Sequence, residues 1–194
     1  MQNVTTKTLI CNTWRKKTVA AVLAVIAAVA IPQLLHLLGM VSDTGSTLGE
    51  TFLPMHLAIF LVGYFAGPIA GLAAGAISPA LSFGLTSAMG SAMPAAAMLP
   101  YMMVELAVYG LTTGLFARFC KVKMPVICSL LIAQVAGRAV RALCIVVGFY
   151  ALNSVINPAV IWNSIVAGLF GLVLQWILIP LIVFRVEKAA KKDE

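Results

Sequence analysis

Apolar residues gather along this chain in six blocks, near residues 18–38, 53–66, 68–89, 94–117, 125–151 and 159–184. A helix needs about 20 apolar residues to cross a hydrocarbon core of about 30 Å. Five of the blocks reach that length. The second is shorter and ends at Gly67-Pro68, a pair that interrupts a helical pattern. The pattern predicts an all-α integral membrane protein: a six-transmembrane-helix bundle forming a single membrane domain over residues 1–194. Within it, residues 1–17 are an N-terminal segment, 18–184 the bundle and 185–194 a basic tail. The first block is expected to be a span rather than a removable signal peptide, because it is long and lacks a convincing cleavage site.

Composition agrees. The chain is 62% hydrophobic and only 10% charged, against about 25% charged in an ordinary soluble domain. Its surface must therefore be solvated by lipid. The net charge of +7 would suggest nucleic acid in a soluble protein, but here its sidedness matters more. Lys7, Arg15, Lys16 and Lys17 precede the first block; Arg118, Lys121 and Lys123 follow the fourth; Arg185, Lys188, Lys191 and Lys192 follow the sixth. With six spans, these eleven of the thirteen basic residues share one face. The positive-inside rule makes that face, and both termini, cytoplasmic, in a multi-pass protein of the cell membrane. The four cysteines, Cys11, Cys120, Cys128 and Cys144, form no CxxC pair and read as small apolar residues.

The remaining two basic residues are Arg138 and Arg141, inside "VAGRAVRALC" in the fifth block. With His56 and Glu105 they are the ionisable groups placed at membrane depth, where a charge costs about 2.5–3.5 kcal/mol and marks a functional site by default. Counting 1.5 Å per residue puts His56 at the outer start of the second block and Glu105 about 16 Å below the outer start of the fourth. Arg138 falls about 20 Å up the fifth. Asn157, Trp162 and Asn163 frame the same outer end of the last two blocks. His56, Glu105, Arg138, Arg141, Asn157, Trp162 and Asn163 are therefore the candidate binding residues for a small molecule arriving from outside. Blander roles compete: an interfacial histidine, an arginine snorkelling to the surface, an acid and a base that only neutralise each other. The depths predict that Glu105 pairs with Arg138 and leaves Arg141 for the ligand. Two arginines favour an anionic or strongly hydrogen-bonding ligand.

Small residues mark faces made for close helix contact. Ala20, Ala24 and Ala28 recur every fourth residue in the first block, as do Gly63, Gly67, Gly71 and Gly75, and then Gly110 and Gly114. The chain contains no G-x-x-x-x-G-K-[ST] phosphate loop, no H-E-x-x-H zinc motif and no G-x-S-x-G elbow. It is expected not to be an enzyme, and to hold no metal and no cofactor itself.

Together, six apolar blocks, the alanine face, "LPMHLAIFLVGYFAGPIAGLAAGAISPALSFGL" and "LPYMMVELAVYGLTTGLFAR" resemble the substrate-binding S components of energy-coupling-factor vitamin transporters. The resemblance covers roughly residues 18–184. It implies a transmembrane T component and two ATPase subunits as partners, with ATP bound by those ATPases. It implies that Ala20, Ala24 and Ala28 dock the T component, and that "GMVSDTGSTLGET" is a lid over the ligand. It implies a vitamin-like substrate, with pantothenate or a B6-type vitamin preferred. The alternatives are a self-contained small-solute carrier or channel, and a ligand-free membrane assembly protein.

Overall fold

The computed structural model describes residues 13–41, 53–90, 92–119 and 125–192, which form six α-helices with no strand among them. They are α1 (Trp14–Val41), α2 (Pro54–Ala66), α3 (Pro68–Ala88), α4 (Leu99–Phe119), α5 (Pro125–Leu152) and α6 (Ala159–Lys192). Five are long and apolar enough to cross a membrane; α2 is not. The part beyond Val41 of the stretch expected to be a lid, with Asp43 and Glu50, lies outside the described residues, as do Lys7, Cys11, Cys120, Lys121 and Lys123. Proline opens α2, α3 and α5, where its missing N–H is one that no helix would use.

Contacts between helices fix their directions. Gly71 faces Gly110 and Gly75 faces Leu106, so α3 and α4 are antiparallel. Arg141 meets Glu105 while Tyr101 meets Gly148, so α4 and α5 are antiparallel too. Arg141 meets Ser164 and Gln134 meets Gln175, which reverses α6 against α5. Gln33 reaches Ser82, aligning α1 with α3. The helices thus alternate, and Arg15, Lys16, Lys17, Arg118, Arg185 and Lys188 gather at one basic end.

The short helix is a departure from the sequence expectation. At 13 residues, α2 is only about 20 Å long. Its far end is level with the end of the bundle, since the Tyr64 hydroxyl reaches Glu187. Its start is therefore internal. The Leu53 carbonyl accepts from Gln175, well inside α6. His56 is thus not at an outer surface but at mid-bundle, 7% exposed. A second correction concerns α4. It begins at Leu99 rather than 94, so Glu105 is six residues into its helix, about 9 Å.

Glycine sets the packing. The helices are apolar on most sides, so no strong apolar stripe selects a buried face; backbone proximity does. A Cβ on Gly71 would collide with the carbonyl of Gly110, one on Gly75 with the carbonyl of Leu106, and one on Gly63 would lie 2.6 Å from the Gly110 oxygen. Three helices, α2, α3 and α4, therefore meet at Gly110. Gly67 makes the α2–α3 turn at φ 103°, a left-handed conformation suited to glycine, beneath the Arg118 guanidinium.

The alanine face of α1 is also turned inward. Ala28 is fully buried, and Ala20 and Ala24 pack against the core formed with α2 and α3. This corrects the expectation that Ala20, Ala24 and Ala28 form a free docking surface. What α1 presents outward is bulky: Val19, Val22, Leu23, Ile26 and Leu34.

Gly110→Ala is expected to lower stability by about 1–3 kcal/mol through overpacking. Gly84→Ala, with nothing within 4 Å of the new methyl, should be neutral or stabilising by about 0.5–1 kcal/mol. Thermal unfolding in detergent checks the contrast; equal effects would mean that Gly110 is not a packing point.

Candidate functional site

Tyr101, Glu105 and Tyr109 recur every fourth residue, so α4 turns one face toward α5 and α6. Glu105 is 2% exposed. One carboxylate oxygen accepts from Arg141 Nη1 at 2.9 Å, and the other lies 3.5 Å from His56 Nε2. Arg141 Nη2 also donates to Ser164 Oγ at 3.2 Å, and that hydroxyl donates to the Val160 carbonyl at 2.8 Å. The His56 ring stands edge-on to Tyr109, centroids 5.3 Å apart. The internal start of α2 is what brings His56 to this level.

Toward the basic end lies a layer of neutral polar groups. The Tyr109 hydroxyl donates to Gln175 Oε1 at 3.1 Å, and Gln134 Nε2 donates to the same oxygen at 3.3 Å. Gln175 Nε2 donates to the Leu53 carbonyl at 3.3 Å, and Trp176 Nε1 donates to Gln134 Oε1 at 2.9 Å. Leu53 is left-handed, at φ 48° and ψ 46°, a conformation unusual for a branched residue. Its carbonyl also accepts the His56 N–H at 3.1 Å. Where lipid surrounds the bundle and water is absent, such mutual satisfaction is what permits polar side chains at depth.

Between α5 and α6 lies a cavity of about 190 Å³, lined by Arg138, Ala139, Arg141, Ala142, Ile161, Ser164 and Ile165. Its wall is almost wholly apolar, with Arg138 and Arg141 among the residues that line it. Arg138 is half-buried and passes beside Gly168, where a Cβ would lie 3.1 Å from its Nη2. Among the described residues no carboxylate lies within 4.0 Å of Arg138, although the Glu105 charge acts on it from further away.

Four of the seven candidate residues therefore come together: His56, Glu105, Arg138 and Arg141. The pairing differs from the expected one. Glu105 bonds Arg141 rather than Arg138, because the level of Glu105 on α4 matches the second arginine. Asn157, Trp162 and Asn163 do not join the cluster. Asn157 is exposed and caps α6 by accepting the Ala159 N–H at 2.8 Å; Trp162 is 69% exposed and Asn163 is exposed. Both follow the inward-facing Ile161 by one and two positions, which turns them around the helix. Sequence reasoning missed Tyr109, Gln134, Ser164 and Gln175 as members of the network. Spacing carried the signal: Tyr109 is four residues after Glu105, and Gln134 is four before Arg138.

No protein-family model, curated protein or solved structure matches this chain significantly. Among the described residues no three His, Cys, Asp or Glu side chains group to hold a metal ion.

Gln175→Leu is expected to destabilise the protein by about 1–3 kcal/mol for each buried polar group left without a partner, since the Tyr109 hydroxyl and Gln134 Nε2 lose their acceptor while the Leu53 carbonyl keeps the His56 N–H. Asn163→Ala should change neither stability nor ligand binding. Melting curves in detergent distinguish the two; an unaffected Gln175→Leu variant would remove the network from the structural account.

Proposed function

We propose that this chain is the solute-binding membrane subunit of an importer, of the kind that the resemblance to energy-coupling-factor S components implies. The observation that carries the reading is the pairing of an apolar cavity bordered by two arginines with a filled polar layer toward the basic end. The cavity is lined by Arg138 and Arg141; four residues before Arg138, Gln134 belongs to the layer in which Gln175, Tyr109 and Leu53 bond one another across the bundle. Below that layer come large apolar side chains, among them Phe60, Leu130, Ile179 and Val183, all buried. A pocket above a plug suits capture of a solute; a self-contained channel needs a polar path through this region.

On this reading the protein spans the membrane with both termini cytoplasmic, and the basic end collected by the fold is the cytoplasmic face. A T component and two ATPases supply coupling, and ATP binds to those ATPases. The partner contact uses a surface other than the alanine face while α1 stays on the bundle. The substrate is a vitamin-like solute.

Mass spectrometry of small molecules extracted from the purified protein tests the reading, together with liposomes containing this chain alone. The expected result is one stoichiometric solute and no concentrative uptake. Concentrative uptake by the isolated chain would establish a self-contained carrier instead. A complex of defined partners carrying no solute would establish an assembly protein.

A further inference from the structure

The ionic cluster does not balance. Glu105 is its one acid among the described residues; one oxygen is bonded by Arg141 and the other lies 3.5 Å from His56 Nε2. Arg141 commits Nη1 to Glu105 and Nη2 to Ser164. Arg138 donates to no described residue, yet it lines the same cavity. Setting His56 aside, two guanidinium groups stand against one carboxylate. A half-buried cation with no answering charge among the described residues is unfavourable in an apolar surrounding, and an anion entering the cavity answers it.

We propose that Arg138 is the anion receptor of this cavity, and that its ligand is a compact monoanion with one carboxylate-like group and an apolar body. This rests on the reading of the cavity as a solute site. The surplus is a single positive charge, which sets one negative charge on the ligand. The remaining wall is Ala139, Ala142, Ile161 and Ile165, which offers no hydrogen-bonding side chain and takes a hydrocarbon portion. A volume of about 190 Å³ is small beside the ~300–1,000 Å³ of drug-sized sites, so the body is short. The guanidinium fork of Arg138 meets a planar carboxylate in two parallel bonds. Arg141 then positions rather than binds: it holds Glu105 away from the ligand.

A phospholipid phosphate is the other source of such a group. Arg138 lies thirteen residues after Pro125 and fourteen before Leu152, about 20 Å from either end of its helix. That depth favours a free solute over a headgroup. Within the chain, Glu50 is the competing acid, three residues before Leu53, whose side chain flanks Gly168 with Arg138.

The test uses the full chain in dodecyl maltoside, an uncharged detergent without phosphate, and follows thermal unfolding with millimolar isovalerate or benzoate against isovaleramide or benzamide. Ligand that binds only the folded state raises the melting temperature. The acids are expected to raise it and the amides not. Arg138→Met is expected to abolish that response and to melt above the wild type in the absence of anion, because the unanswered charge is gone. Glu50→Gln is expected to leave both readings unchanged. An Arg138→Met variant that keeps the response overturns the assignment, as does a Glu50→Gln variant that melts lower while losing nothing else. Stabilisation by amides and acids alike retains the solute site and removes the anion. Failure of every acid overturns the proposal, and if no solute is extracted from the purified protein the solute-site reading falls with it. Stabilisation that appears only on adding phosphatidylglycerol assigns the cavity to lipid and overturns the free-solute ligand.

Discussion

The site is organised around one buried carboxylate. Glu105 is almost wholly removed from solvent, and an acid in that position stays charged only if cations answer it. Arg141 does so from a second helix, the His56 ring faces the other carboxylate oxygen at 3.5 Å from a third, and Ser164 ties the arginine to a fourth. Four helices are therefore held in register by one group. In a lipid-solvated bundle, where apolar contact between helices gains little over contact with lipid, such a polar tie specifies which faces meet.

The tie works because the glycines permit it. Gly137 lies against the Glu105 carbonyl, where a Cβ would be 3.1 Å away, so α5 approaches α4 closely at the level of the acid. On the other side, Gly71, Gly75 and Gly110 draw α3 against α4. α6 packs less extensively than these, and the cavity opens where it separates from α5. Close packing around α3, α4 and α5 and looser packing at α6 thus place the void beside the arginines.

Much of this was legible in the sequence. The apolar blocks coincide with the helices to within a few residues at most ends, because hydropathy reports the surrounding lipid directly. The glycine spacing marked the faces that meet. Three features were not legible, each for a physical reason. Depth counted along a helix assumes that the helix begins at the membrane surface, and α2 does not; His56 was consequently placed too far out. Two arginines three residues apart share a face, so spacing alone could not decide which one meets Glu105. Alanine at every fourth residue marks a close contact without saying whether the contact lies inside or outside the chain. Ala28 is inside, and the outward side of α1 is made of larger apolar residues.

The division of roles between the two arginines is the central claim, and a double-mutant cycle measures it most directly. Glu105→Gln is combined in turn with Arg141→Met and with Arg138→Met, and each set is unfolded in detergent without added solute. Residues in direct contact couple by about 0.5–3 kcal/mol, whereas independent sites add to within about 0.3–0.5 kcal/mol. The account predicts coupling at the upper end of that range for Glu105 with Arg141, and a clearly smaller value for Glu105 with Arg138. Stronger coupling of Glu105 to Arg138 would contradict it, because Arg138 would then be the partner of the acid and Arg141 the free cation.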